Sequence, residues 1–227
     1  MTALLEKLKT DQDEFFTNPD RRCPCVLLVD TSYSMDGQKM AELNAAMKLL
    51  HRELSDDEMT VKRVDMAIIS FGPVQVEQDF AAVDKFSMPT VQAGGGTPMG
   101  EAIEVALKMA EERRAVINGA GIDLYAPWVF MITDGEATDD LTNAKSAIQT
   151  AEEKWKLMFY AIGVDDADMS QLASLSRIPA MKLNGLAFKE LALFIKDSLG
   201  TVVRTNPGDK ITIQNPEVAG FGQIVVE

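Results

Sequence analysis

Residues 26–37 read VLLVDTSYSMDG and give the strongest indication of the fold. Four consecutive apolar residues lead into Asp30, and Ser32 and Ser34 follow at alternate positions. Because alternate side chains of an extended chain point to the same side, these three polar side chains are expected to converge beyond the end of a buried strand. A carboxylate and two hydroxyls in that position indicate a site for a cation, a phosphate or a reacting centre.

The composition is typical of a globular protein with one large domain. The chain has 227 residues, 46% hydrophobic and 25% charged, which is enough for a two- or three-layer core. The formal net charge of -13 argues against binding nucleic acid or an anionic membrane, since both require a basic surface. The amino terminus lacks a signal-peptide pattern, no run of about 18 apolar residues occurs, and the only two cysteines stand one residue apart. We therefore expect a cytoplasmic protein.

Apolar runs alternate with helical patterns along most of the chain. The runs predict strands at Val26–Val29, Asp65–Phe71, Val74–Phe80, Trp128–Thr133, Leu157–Val164 and Ala180–Leu183. Apolar residues spaced by three and four between these runs predict amphipathic helices. The expected fold class is α/β, with a doubly wound, Rossmann-like, mainly parallel central sheet and helices on both faces. The segment Val74–Phe80 alternates polar and apolar residues, so it is expected to be the one antiparallel edge strand.

Three segments make up the expected domain organisation. Residues 1–21 are predicted to form a helical extension and residues 22–205 the α/β domain. Residues 206–227, rich in Gly, Pro and Val, are predicted to form an extended tail packed on that domain. No internal repeat or low-complexity linker indicates a further boundary.

Two further polar stretches belong to the same edge of the predicted sheet. In QAGGGTPMG, residues 92–100, three glycines lead to Thr97 just before a helix, and in WVFMITDGEATDD, residues 128–140, an apolar strand ends at Asp134. Ligands of open α/β sheets bind beyond the carboxyl ends of the strands. The expected metal ligands are therefore Asp30, Ser32, Ser34, Thr97 and Asp134. Two carboxylates and three hydroxyls form an oxygen-only set that suits Mg²⁺ or Mn²⁺ rather than zinc or copper.

These three stretches carry a family resemblance. DTSYSM, GGGTPMG and ITDGEATDD, in this order and spacing, resemble the three parts of a metal-ion-dependent adhesion site, the signature of the von Willebrand factor A family. The resemblance covers roughly residues 22–203. It implies that the hydroxyls of Ser32, Ser34 and Thr97 coordinate the metal, while the carboxylates of Asp30 and Asp134 act directly or through water. It also implies that the metal captures a Glu or Asp of a protein partner and that the protein is not an enzyme.

A narrower resemblance concerns residues 126–140, APWVFMITDGEATDD. This stretch is similar to the TerY-type bacterial cytosolic members of the family, which are linked to tellurium-resistance gene clusters. The resemblance implies a stress-response setting in which such proteins are associated with kinases and phosphatases. A kinase or phosphatase of the same system is therefore an expected partner.

One residue departs from the family pattern. Tyr33 stands between the two serines, where the family most often has glycine. By the alternation of an extended chain, its side chain is expected to point away from the metal and to restrict which partners fit. The rim of the site is expected to comprise Tyr33, Met35, Gly94–Gly96 and Glu136–Asp140.

Two other functions remain open on the residues alone. A Mg²⁺-dependent phosphohydrolase would use Asp30 as the nucleophile and Asp134 as a metal ligand. Such enzymes usually carry a second aspartate two residues after the first, and Ser32 stands there instead. A scaffold with a vestigial metal site is the other alternative, and only Tyr33 favours it.

Two candidate ligands also have purely structural interpretations. Thr97 precedes Pro98, and a threonine followed by proline is a frequent helix start, with the threonine as N-cap. Asp134 precedes Gly135, a frequent pair where a strand turns into a loop. The presence of all three stretches in one chain favours the metal-binding interpretation for both residues.

Overall fold

A computed structural model of the protein describes residue 15 and residues 17–154, 156–206 and 222–225. The strands are β1 Cys23–Asp30, β2 Val64–Phe71, β3 Val74–Ala82, β4 Trp128–Thr133, β5 Met158–Gly163, β6 Ala180–Leu183 and β7 Gly222–Val225. The α-helices are α1 Gln38–Ser55, α2 Glu58–Arg63, α3 Met99–Gly119, α4 Thr142–Glu153, α5 Met169–Leu175 and α6 Phe188–Val202. A short 3₁₀ turn, Tyr33–Met35, follows β1.

The strands form one seven-stranded sheet in the order β3-β2-β1-β4-β5-β6-β7. The five strands from β2 to β6 in that order are parallel, and β3 pairs antiparallel with β2 at one edge. The predicted α/β class, the mainly parallel sheet and the antiparallel edge strand are therefore confirmed. At the other edge β7 pairs antiparallel with β6, a second such strand that the sequence did not predict.

The tail and the amino-terminal extension are described only in part. Residues 222–225 of the predicted tail form β7. Residues 1–14 and 207–221 lie outside the described residues. The predicted helical extension and the packing of the whole tail therefore stay predictions.

The apolar run of β1 is continuous because both faces of the sheet are covered. Leu27 and Val29 belong to a core cluster with α1 and α6, whereas Val26 and Leu28 belong to a second cluster with α3, α4 and α5. Every residue of β1 is buried. Successive side chains thus enter opposite helix layers, as expected for a central parallel strand.

The strand order creates a crevice at the site of interest. From β1 the chain moves outwards to β2 and β3, and it then returns to the other side of β1 at β4. The carboxyl ends of β1 and β4 are therefore neighbours at the point where the direction of winding reverses. Ligands of doubly wound sheets bind in the crevice at such a reversal point.

A buried ionic cluster, called here the arginine cluster, lies at the amino ends of the parallel strands, opposite the crevice. The carboxylate of Asp65, near the amino end of β2, lies 3.3 Å from a guanidinium nitrogen of Arg22 and 2.7 Å from one of Arg113. All three side chains are at most 3% exposed. The ring of Phe15 packs against both guanidinium groups.

The two cysteines are core residues. Cys23 and Cys25 are buried free thiols in β1, and burial raises the pKa of Cys25 to about 12. Both thiols therefore pack as small apolar groups. Every helix in the described ranges lacks the length or the apolar character needed to span a bilayer.

Candidate metal centre

Asp30 forms the floor of the site at the end of β1. Its carboxylate is fully buried; Oδ1 accepts a hydrogen bond from the Ser32 backbone N–H at 2.7 Å, and Oδ2 accepts one from the Thr133 hydroxyl. Burial raises the pKa of Asp30 and the nearby charge of Asp134 raises it further, against the lowering effect of the hydrogen bonds from Thr133 and Ser32. Both carboxylate oxygens are thus engaged with the chain, and Asp30 fixes the start of the loop that carries the serines.

A continuous row of oxygens crosses the crevice between β1 and β4. Ser32 Oγ lies 2.8 Å from Ser34 Oγ, and the Ser34 hydroxyl donates to Asp134 Oδ1 at 2.6 Å. The loop is held against the glycine-rich segment because the backbone N–H of Tyr33 donates to the Gly95 carbonyl at 3.2 Å. Ser32 is buried and Ser34 is exposed, so the row opens towards solvent at Ser34.

Thr97 completes the set from the loop that precedes α3. Its side chain is buried, and its backbone is fixed by two hydrogen bonds with Thr138, at 2.9 and 3.2 Å. A Cβ atom added at Gly135 would lie 3.6 Å from Thr97 Oγ1 and 3.8 Å from Ser34 Oγ. Both hydroxyls therefore face the same point beside Gly135.

The helix-start interpretation of Thr97 is wrong. Helix α3 begins at Met99, its N-cap position is Pro98, and no side chain at that position caps it. The carboxylate of Asp139 takes this role instead, because it accepts the backbone N–H groups of Gly100 at 2.9 Å and Glu101 at 2.8 Å. The Thr97 hydroxyl is consequently not used to cap the helix.

Asp134 carries a positive partner that the sequence analysis did not identify. The ammonium group of Lys39, in the first turn of α1, lies 2.6 Å from Asp134 Oδ2 and 3.0 Å from Asp165 Oδ2. Burial acts to lower the pKa of Lys39, but the hydrogen bonds and charges of the two aspartates outweigh it and raise the pKa. Lys39 therefore stays charged beside the oxygen row.

Two of the predicted rim residues have opposite outcomes. Tyr33 is 74% exposed, which agrees with a side chain directed away from the site. Met35, expected at the rim, is fully buried in the core that includes α1. The prediction for Met35 is wrong because the extended alternation ends at Ser32, where the 3₁₀ turn redirects the following side chains.

Sequence reasoning missed Thr133 and Lys39. A usable signal existed for Lys39, because a cation in the first turn of a helix opposes the helix dipole and therefore suggests a compensating carboxylate nearby. Thr133 was assigned only as the last residue of an apolar strand. Nothing in the sequence pattern pairs Asp165 with Lys39.

The donor set fits a hard divalent cation. Octahedral ligands about 2.1 Å from Mg²⁺ lie about 3 Å from their neighbours in the shell, close to the 2.8 Å between the two serine hydroxyls. Among the described residues no three His, Cys, Asp or Glu side chains form a metal-binding group. The available donors are therefore hydroxyls supplemented by carboxylates, which suits Mg²⁺ or Mn²⁺.

The sequence also matches a family model over this region. The von Willebrand factor type A domain model matches residues 25–193, well over half of the chain. The chain belongs to the von Willebrand factor type A family. No curated protein matches it significantly.

Solved structures of other proteins share the fold at low sequence identity. Proximal thread matrix protein 1 from the mussel byssus, solved with a zinc-occupied MIDAS motif, is 16% identical with a TM-score of 0.55, and the match covers 80% of this chain and 48% of that one. The pilus adhesin SpaC from Lactobacillus rhamnosus GG, in an open conformation, is 11% identical with a TM-score of 0.63, covering 81% and 30%. The chain thus spans less than half the length of these structures.

Proposed function

We propose that this protein is a metal-dependent protein-binding module. In this proposal Mg²⁺ or Mn²⁺ is held by Ser32, Ser34, Thr97 and Asp134, with Asp30 acting directly or through water. The observation that carries the proposal is the oxygen row from Ser32 through Ser34 to Asp134 in the reversal-point crevice. When bound, such a cation supplies an electrophilic position that attracts a carboxylate from a partner.

The residues around the row have separate tasks in this proposal. Asp30 and Thr133 hold the serine loop in position through their buried hydrogen bonds. Ser34 is exposed, so the side of the row that it forms is accessible to a Glu or Asp of a partner protein. Tyr33, the most exposed large hydrophobic side chain among the described residues, stands beside this opening and would contact the partner directly.

The geometry supports binding over hydrolysis. A nucleophilic aspartate must reach the substrate, yet Asp30 is 0% exposed and both of its oxygens accept hydrogen bonds from the chain. Ser32 stands where a general acid would be needed, and a serine hydroxyl lacks a suitable pKa for that role. We therefore do not favour the phosphohydrolase.

The cellular setting is a further part of the proposal. The resemblance of residues 126–140 to TerY-type members supports a bacterial, cytoplasmic role in a tellurium-resistance-type stress response. A kinase or phosphatase of that system would supply the Glu or Asp. Binding of such a partner in Mg²⁺ buffer and its loss in EDTA is the expected result, and equal binding in both buffers would contradict this part.

The test of the metal site is a titration with Mg²⁺ and Mn²⁺, followed by thermal shift and calorimetry. A ligand that binds only the folded state stabilises it by about 2.7 kcal/mol at a concentration of 100 Kd. The wild-type protein should show this stabilisation, and the double variant Ser32→Ala with Ser34→Ala should lose it.

A matched control removes two hydroxyls elsewhere. Ser87 and Ser146 are exposed and lie outside the metal centre, so Ser87→Ala with Ser146→Ala should respond to metal like the wild type. An unresponsive wild-type protein, or an equal response from the Ser32 and Ser34 double variant, would overturn the proposed function.

A further inference from the structure

Lys39 forms an ion pair with Asp134, one of the proposed metal ligands. Its ammonium group lies 2.6 Å from Asp134 Oδ2, while Ser34 uses Asp134 Oδ1 at the same distance. Both oxygens of Asp134 thus have partners within the chain, and one of these partners is a cation. The Asp134 side chain is fully buried and that of Lys39 is 22% exposed, so bulk solvent screens this pair only in part.

The position of Lys39 is held by features that are unfavourable on their own. The side chain starts from the first turn of α1, where the helix dipole disfavours a positive charge. Its second partner, Asp165, adopts a φ of 54°, a left-handed conformation that is uncommon outside glycine, although aspartate adopts it more often than most residues do. Two unfavourable local features are therefore retained around a lysine that bridges the aspartates of two loops. An incidental surface ion pair would not require either of them.

We propose that Lys39 is a built-in counter-cation that competes with the divalent ion for Asp134 and so lowers the affinity of the site for metal. This inference rests on the proposed metal-binding function and specifies how that site is tuned. In the metal-free protein Lys39 neutralises Asp134, a buried carboxylate that has no other positive partner among the residues that the structure describes. When metal binds, the lysine must either share Asp134 with a doubly charged neighbour or move towards Asp165.

Either response disfavours the metal-bound state. The repulsion between a fixed unit charge and a divalent ion a few ångströms away amounts to about tenfold or more in Kd, even at a water-like dielectric constant. Asp165 acts in the opposite direction, because it draws the ammonium group away from Asp134 and adds negative charge. The two residues together would set the metal concentration at which the site becomes filled.

The experiment compares the Kd of Mg²⁺ for wild type and Lys39→Met by calorimetry, together with the melting temperature in EDTA. Methionine keeps an unbranched apolar stem and removes the charge. We expect Mg²⁺ to bind Lys39→Met about tenfold more tightly, and the metal-free variant to melt at a lower temperature. Asp165→Asn should change affinity in the opposite direction, towards weaker binding.

A charge-matched control is Lys85→Met. Lys85 is 63% exposed and pairs with Asp84. It follows β3 beside the amino end of β2, on the side of the sheet away from the crevice. The Kd of Mg²⁺ should stay within about twofold of wild type for this variant, since its charge is remote and screened.

The outcomes separate the inference from the proposed function. Unchanged or weaker Mg²⁺ binding by Lys39→Met, with binding by wild type, would overturn the inference alone, because Lys39 would then only position Asp134. Binding by Lys39→Met without binding by wild type would support competition by Lys39 but overturn the proposed function, because the wild-type site would then be closed to metal. Absence of binding by both would overturn the inference and the proposed function together.

Discussion

The amino ends and the carboxyl ends of the parallel strands each bury a carboxylate, and its charge is balanced in different ways at the two ends. In the arginine cluster, Asp65 faces two guanidinium groups at 3.3 and 2.7 Å. At the metal centre, Asp134 faces one hydroxyl and one ammonium group. The two carboxylates are similarly buried and hydrogen-bonded, but Asp65 has two positive partners and Asp134 has one.

This difference indicates which end of the parallel strands binds a ligand. Among the described residues of the metal centre, Lys39 is the only basic side chain paired with the aspartates, and it serves Asp134 and Asp165 while Asp30 lies nearby. In the arginine cluster two guanidinium groups face one carboxylate, so the buried anion has no shortage of positive charge. The metal centre retains an excess of negative charge that a divalent cation would neutralise. A buried carboxylate alone does not mark a site, whereas a shortage of cations around it does.

The largest expected effect is on the arginine cluster. Asp65→Asn leaves two buried guanidinium groups without their anion and should lower the free energy of unfolding by about 3–5 kcal/mol. Urea denaturation measures this change.

The control is Asp84→Asn, which breaks the exposed pair with Lys85 and should change stability by less than about 1 kcal/mol. If Asp65→Asn cost no more than this control, the arginine cluster would not be the structural counterpart described here. The folded fraction of Asp65→Asn should retain the wild-type affinity for Mg²⁺, because Asp65 lies at the amino ends of the strands and the metal centre lies at their carboxyl ends.

A smaller effect is expected at the floor of the metal centre. Thr133→Val removes the hydroxyl that donates to Asp30 and accepts the Gly135 N–H at 3.2 Å. Loss of these buried hydrogen bonds should cost about 1–3 kcal/mol of stability. It should also weaken metal binding by about 10–100-fold, as is typical for residues that orient ligands.

Thermal denaturation in EDTA and calorimetry with Mg²⁺ measure the two changes separately. Thr201→Val serves as the comparison, because its hydroxyl donates to the Asp197 carbonyl in α6 and does not contact the metal centre. Unchanged metal affinity in Thr133→Val would show that Asp30 does not need this partner.

The smallest effect is expected for Tyr33. Exposed substitutions usually change free energies by less than about 0.5 kcal/mol, which is about twofold in Kd. Tyr33→Gly should therefore leave the Kd of Mg²⁺ within about twofold of wild type while changing affinity for a protein partner. A large gain in metal affinity would instead favour the vestigial-site alternative, with the tyrosine as its cause.

Periodicity and strand-end placement made most of the fold predictable. Continuous apolar runs such as Val26–Val29, bounded by turn residues, favour central strands covered on both faces, and the six predicted strands occur in the structure. The short helices α2 and α5 contain too few turns for a readable period, and β7 lies in a tail without such a pattern. These elements depend on contacts made only in the folded chain.

Local spacing placed the candidate ligands but did not reveal their partners. Asp30, Ser32 and Ser34 come together because they are adjacent in sequence, and Asp134 joins them because parallel strands end at one edge. The pairing of Lys39 with Asp134 spans 95 positions, so the position of Lys39 at a helix start suggests a nearby carboxylate without identifying it as Asp134. The burial of Met35 likewise depends on a 3₁₀ turn that only the folded loop defines.

The most direct test of the metal centre is anomalous diffraction from crystals grown with Mn²⁺, for wild type and for Asp134→Asn. A metal held at this centre should give one strong wild-type peak in contact with the hydroxyls of Ser32 and Ser34, and the peak should be lost in the variant. An ordered wild-type crevice without a peak, or a peak located only at exposed acidic residues elsewhere, would contradict the proposed metal centre.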